Sequence, residues 1–152
     1  MGEDFRIDVS NIRGLRANHF AVYAHVRRFR PNIMAVCETQ VFDDSEASNY
    51  QISGYSLLPL FFPRRGLALY IRSDVAYQCQ QQLSQSDPEF SALWVKLKLP
   101  ARILHFCYIY RSPNIERDAH LSGLESLSNS ISSILAMHPH SEIRMAGILK
   151  SH

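Results

Sequence analysis

Ile33-Met34-Ala35-Val36-Cys37 is an unbroken apolar run with Glu38 at its carboxyl end. No polar residue alternates within it, so it predicts a strand covered on both faces, the kind that lies inside a layered sheet rather than on its outside. A carboxylate that follows such a strand is held by a rigid element at the rim of the sheet, with room beside it for substrate and water. Two readings of Glu38 stay open: a ligand for a hard cation, or a solvated, loop-facing acid.

Upstream, Phe5 to Ser10 alternates, with Phe5, Ile7 and Val9 against Arg6, Asp8 and Ser10, which predicts a strand with one buried face. It runs into Asn11-Ile12-Arg13-Gly14-Leu15-Arg16, where Gly14 makes a turn. Asn18 is placed to cap a helix whose apolar positions Val22, Val26 and Phe29 recur on one side, and Pro31 stops it. Downstream, residues 39–54 read as an exposed acidic loop carrying Asp43, Asp44, Ser45 and Glu46. Short extended segments follow at Tyr55–Leu60, Leu67–Arg72 and Val75–Cys79. Phe90–Leu99 alternates, and Pro100-Ala101-Arg102 returns the chain into Ile103–Tyr110 as an antiparallel hairpin. Leu121, Leu124, Leu127 or Ser128, Ile131 and Ile134 or Leu135 mark one stripe of a long helix ahead of Pro139, and Ile143–Gly147 opens a last strand. Strand, helix, strand, a group of antiparallel strands, long helix, strand: helices covering a mixed sheet, α+β or layered α/β, in one domain over residues 1–152.

The chain has 152 residues, 46% of them hydrophobic and 20% charged, which excludes disorder and fibrous repeats. The net charge of +2 is unevenly spread. Residues 1–30 carry six arginines against three acids, 31–55 four acids and no base, and 56–111 seven bases against three acids. An acidic centre between basic flanks suits a metal-dependent phosphodiester enzyme, and ordinary solvated surface gives the same count. Cys37, Cys79 and Cys107 are an odd number without CxxC spacing and read as reduced core residues. The amino-terminal residues lack a leader pattern, and the longest apolar stretch, Leu57–Phe62, is short and broken by Pro59. These features predict an intracellular chain, nuclear or cytoplasmic, with no membrane partner.

Arg13, Arg16 and Arg111 follow the carboxyl ends of strands, where guanidinium groups meet phosphate oxygens well; they read equally as surface arginines. Tyr110 would set a phenol beside such a site, or simply pack. His138-Pro139-His140 reads as a helix-terminal turn, not a metal site, because no third ligand has suitable spacing. GxSxG, GxxxxGKS and HExxH are absent, which removes the main support for those chemistries.

Four blocks in order, Asn11-Ile12-Arg13-Gly14-Leu15-Arg16, Met34-Ala35-Val36-Cys37-Glu38-Thr39-Gln40, Gly66-Leu67-Ala68-Leu69-Tyr70-Ile71 and Tyr108-Ile109-Tyr110-Arg111-Ser112-Pro113-Asn114, resemble the exonuclease/endonuclease/phosphatase superfamily. More narrowly the chain resembles the apurinic-endonuclease-like domain of jockey-type non-LTR retrotransposons, which nicks target DNA ahead of reverse transcription. The resemblance implies a four-layer α/β sandwich of which this chain holds the N-terminal portion. It implies catalytic positions at Asn11, Glu38 and Tyr110, with Glu38 binding Mg²⁺ (or Mn²⁺). It further implies DNA-backbone contacts from Arg13, Arg16 and Arg111, and metal-assisted hydrolysis with in-line attack by water.

The departures matter as much. Where the family carries Gly-Asp-Phe-Asn, a small residue and His, this chain reads Gly147-Ile148-Leu149-Lys150-Ser151-His152. Gly147 and His152 match, but Ile148 and Lys150 replace an Asp and an Asn, and isoleucine neither binds metal nor orients water. The family's later Asp and its Asp-His pair have no counterpart, leaving an incomplete metal site. A truncated domain would also bare one sheet face, which predicts low stability and self-association or completion by another chain. The expectation is the N-terminal portion of a Mg²⁺-dependent DNA endonuclease, inactive or weakly active. The alternatives are a non-catalytic nucleic-acid-binding or protein-interaction module, or the remnant of a retroelement.

Overall fold

A computed structural model describes residues 5–41, 43–62, 65–87 and 89–149. The chain divides into two compact units, Met1–Val75 and Ala76–His152. Each holds one mixed sheet.

In the first unit, β1 (Ile7–Asn11), α1 (Leu15–Phe29) and β2 (Ile33–Cys37) form a parallel crossover. All five residues of β2 are buried, as their unbroken apolarity requires. β3 (Tyr55–Phe62) and β4 (Arg65–Arg72) form an antiparallel pair, and β4 lies against β2, giving the order β1-β2-β4-β3. Met34 and Val36 of β2 and Ala68 and Tyr70 of β4 pack with Leu15, Val22 and Val26 of α1. Burying Val22 and Val26 contributes about 2 kcal/mol each. The hydroxyl of Tyr70 donates to Tyr50 O at 2.8 Å, satisfying the one polar atom its side chain brings into the core.

α1 begins earlier than its sequence suggests. Gly14, at φ 107, turns the chain into the helix, and buried Leu15 fixes the start. Asn18 is therefore inside the helix rather than at its cap, and its Nδ2 donates back to Ile12 O at 2.6 Å and Gly14 O at 3.2 Å. Phe29, expected in the apolar stripe, is 40% exposed. The acidic segment is also more ordered than a loop. Asp43 caps α2 (Asp44–Ala47) by accepting from Glu46 N at 2.7 Å, and a 3-10 turn at Ser48–Tyr50 follows. Val41, Ala47, Tyr50 and Ile52 fasten the segment to the core.

The second unit comprises β5 (Ala76–Cys79), a short β6 (Gln85–Ser86), β7 (Phe90–Leu99), β8 (Arg102–Arg111), α3 (Arg117–Met137) and β9 (Glu142–Leu149). The order is β5-β7-β8-β9, with β6 also on β7; β8 and β9 are parallel across the α3 crossover. The β7–β8 hairpin turns at Pro100-Ala101, as expected. The buried face of α3 keeps Leu127, Ile131 and Ile134 of the expected stripe but not Leu121 or Leu124. It is completed by Gly123, against the Phe90 ring, and Ser130. Phe90 and fully buried Trp94 make the sheet surface bulky, so small helix residues take the contact and Leu121, Leu124 and Leu135 stay exposed. Gln85 Nε2 donates to Gly123 O and Ser130 Oγ to Leu83 O, tying α3 to the chain before β7.

Cys37 and Cys107 are buried and reduced, whereas Cys79 is exposed on β5 and is not a core residue. Among the described residues no helix is long and apolar enough to cross a membrane.

Candidate metal and nucleic-acid site

Asn11 ends β1 opposite Cys37, the last residue of β2, so Asn11 and Glu38 stand at adjoining strand ends. The loops beyond are laced by backbone bonds. Ile12 N donates to Cys37 O at 3.2 Å, Gly14 N to Glu38 O at 2.7 Å, and Leu15 N to Thr39 O at 2.9 Å. By register Asn11 lies on the face of the sheet away from α1. Simple alternation would send Glu38 toward α1 with Met34 and Val36, but its φ of 56 breaks the alternation at that residue. Arg13 and Gln40 are left-handed too, at φ 50 and 55. Three non-glycine residues in this conformation within one rim cost on the order of 1–2 kcal/mol each, an expense that surrounding structure sustains mostly where side-chain placement matters.

Asn11 Oδ1 accepts from Arg13 N at 3.3 Å, which holds the amide across the turn. Glu38 is half-buried and Thr39 fully so. Beside the rim is a cleft of about 320 Å³ lined by Arg13, Gly14, Arg16, Ala17, Thr39 and Gln40. Arg13 and Arg16 thus line one cleft. Arg16 is held by Glu46 at 2.9 Å yet keeps 81% of its side chain exposed. Thr39 and Gln40 also line the cleft; their adjacency to Glu38 in sequence is the signal for them.

In the second unit Tyr110 is buried near the end of β8, opposite Ser91 and Ile148. Alternation sets it on the face away from α3 and sets Arg111 on the α3 side, since Cys107 and Ile109 pack there. The two residues therefore leave the strand on opposite faces. Arg111 Nε is buried and has no hydrogen-bond partner among the described residues. Ile148 continues β9 in register with Tyr110, while Lys150 and His152 lie outside the described residues.

The resemblance implies a divalent cation, for which the adjoining strand ends bring Glu38 and Asn11 to one rim. Glu38 offers a carboxylate and Asn11 an amide oxygen at adjacent strand ends; Mg²⁺ typically takes one or two carboxylates and fills its remaining positions with water and phosphate oxygens. Among the described residues no group of three or more His, Cys, Asp or Glu side chains could hold a metal. A cation here would depend on substrate oxygens for much of its coordination.

Two mixed sheets, each carrying a parallel β-α-β crossover, with polar residues at the strand ends, give the chain an exonuclease/endonuclease/phosphatase-like fold. It is similar to an AP endonuclease from Leishmania major, with TM-score 0.69 and 15% identity over 94% of this chain and 54% of that one. It is similar to the endonuclease domain of TRAS1, a telomere-specific non-LTR retrotransposon, with TM-score 0.59 and 16% identity over 95% of this chain and 58% of that one. It also resembles D. rerio TDP2 in complex with a single-stranded DNA product, with TM-score 0.69 and 11% identity over 94% and 59% of the respective chains. The chain therefore spans between half and two thirds of these structures. No protein-family model matches the sequence, and no curated protein is similar to it by sequence.

Proposed function

We propose that the chain carries the first part of a Mg²⁺-dependent phosphodiesterase centre acting on DNA, as in the target-site nicking of non-LTR retrotransposons, with low activity on its own. The observation that carries this reading is the rim itself: Asn11 and Glu38 at adjoining ends of parallel strands, with Glu38 and Arg13 in left-handed turns, beside a cleft lined by Arg13 and Arg16. Glu38 would hold Mg²⁺, which when bound supplies positive charge against the phosphate oxygens. Asn11, fixed by its bond from the Arg13 amide, orients its amide toward the same rim. Arg13 and Arg16 bind the DNA backbone from their cleft through paired guanidinium donors. Tyr110 and Arg111 are proposed on the resemblance, as a phenol near the scissile phosphate and as a further backbone contact.

Nicking of supercoiled plasmid with Mg²⁺ tests the assignment. Glu38→Ala is expected to lower the rate roughly 10²- to 10³-fold, with plasmid binding retained. Nicking that survives this change belongs to another site and overturns the reading.

A second reading, a nucleic-acid-binding module without catalysis, is favoured by a separate observation. Ile148 occupies the position in register with Tyr110 at the end of a parallel strand, where an isoleucine orients no water. Plasmid binding that Arg13→Ala and Arg16→Ala weaken, without nicking at any Mg²⁺ concentration, decides for that reading.

A further inference from the structure

We infer that one flank of α1 is a binding surface for single-stranded nucleic acid, running along the helix from the cleft beside the Glu38 rim. α1 contains no Asp or Glu. Arg16, Phe20, Tyr23 and Arg27 recur at spacings of four, three and four, which places them along one flank of the helix, away from the buried Leu15, Val22 and Val26. Phe20 is 79% exposed, the largest value among the exposed large hydrophobic side chains of the described residues, and Tyr23 is 38% exposed. The Arg27 guanidinium lies 5.9 Å from the centre of the Tyr23 ring. Among the described residues Arg27 meets no carboxylate within 4.0 Å, so its charge is turned outward.

At 79% exposure Phe20 adds little to the packing of α1. Alternation of rings and guanidinium groups along a cationic flank is the chemistry that single strands recognise: bases stack on aromatic faces while arginines neutralise phosphates. The four residues span roughly 16 Å of helix, so the stripe addresses a short run of nucleotides. Arg16 is shared with the cleft beside the rim, so the stripe continues that cleft along the helix. Glu46 tempers the charge at the Arg16 end, which leaves Phe20, Tyr23 and Arg27 as the principal contacts. A membrane surface fits less well, because the flank offers only two rings and no continuous apolar stripe to insert.

The test is fluorescence anisotropy of a labelled oligothymidylate titrated with the full chain. Phe20→Ala and Tyr23→Ala are each expected to weaken binding by about tenfold. Arg27→Ala is expected to reduce the dependence of log affinity on log salt by about one counterion. Because these side chains are exposed, circular dichroism should report an unchanged fold. Oligothymidylate binding should persist in EDTA, where Mg²⁺-dependent nicking stops, so failure of nicking and failure of this inference are distinguishable. Unchanged affinity in Phe20→Ala and Tyr23→Ala overturns the inference. So does an equal loss of duplex binding in those variants, or capture by phosphatidylserine vesicles in place of the oligonucleotide.

Discussion

The two units share a topology and differ in where they spend conformational energy. Each has a parallel pair at one edge of its mixed sheet, joined through a helix, with antiparallel strands beyond. In the first, the ends of β1 and β2 lead into Arg13, Glu38 and Gln40, all left-handed. In the second, no non-glycine residue among those described has a positive φ, and the strand ends carry buried Tyr110 and Ser112. The same crossover thus supports a strained polar rim in one unit and a relaxed, packed end in the other. Strain that the topology does not require points to side-chain placement as its reason.

The largest expected stability effect lies in the relaxed unit. A Cβ on Gly123 would sit 2.5 Å from Phe90 Cγ and 2.7 Å from both Cδ atoms. The ring is buried beneath the helix and has little room to retreat, so Gly123→Ala should cost about 1–3 kcal/mol through overpacking despite alanine's better helix propensity. Urea unfolding checks this. A neutral or stabilising result would mean that α3 rides higher on its sheet than the contact with Phe90 implies.

Gln40→Gly addresses the strained unit directly. With φ 55 and an exposed side chain, Gln40 should gain up to about 1 kcal/mol of stability on replacement, the relief of left-handed strain less glycine's greater chain entropy. Arg30→Gly is the control: Arg30 is left-handed at φ 46 as the ordinary terminus of α1, at the other end of that helix from Gly14, and its replacement also gives up the guanidinium contact with the Tyr55 ring. If both variants gain stability but only Gln40→Gly alters nicking or plasmid binding, the strain at the rim belongs to function. If neither affects activity, the contrast between the units is one of local backbone economy.

The elements were legible where period and punctuation agreed. Ile33–Cys37 announced a doubly covered strand, and Pro100-Ala101 between two alternating runs announced the β7–β8 hairpin. The helix faces were less so. Leucines on α3 marked a stripe, but the choice of Gly123 and Ser130 for the contact depends on the bulk of Phe90 and Trp94, which are distant in sequence. The start of α1 was misplaced because Asn18 is a good cap by composition, whereas Gly14 starts the helix through a backbone angle. At the rim, motif order placed Asn11 beside Glu38. The left-handed turns that redirect the chain there are invisible to alternation, since arginine, glutamate and glutamine are not residues from which a positive φ is read.

The last contrast is in response to acid, and it has a sign for each unit. In the first, burial pushes the Asp8 carboxyl up, but hydrogen bonds from Arg6 at 2.8 Å and His25 at 2.6 Å outweigh it and hold the group below its usual range. A depressed acid contributes stability above its unfolded pKa of about 3.9, and that contribution is lost as pH falls through the lower folded value. In the second, burial and then the charges of His138 and Lys96 push His105 below the ordinary histidine value, while its Nδ1 shares a 2.6 Å hydrogen bond with Ser141 Oγ. The unfolded chain then takes up this proton first, so stability begins to decline below about pH 6.5. Hydrogen exchange, corrected for intrinsic rates, should therefore show β8 amides losing protection from about pH 6.5 downward, and the Asp8 contribution to β1 and β2 fading only below about pH 4. His105→Gln should flatten the first of these slopes and Asp8→Asn the second. Loss of protection in β2 together with β8 near neutral pH, abolished by His105→Gln in both, would show that the two sheets open as one cooperative body and that their difference is confined to the strand ends.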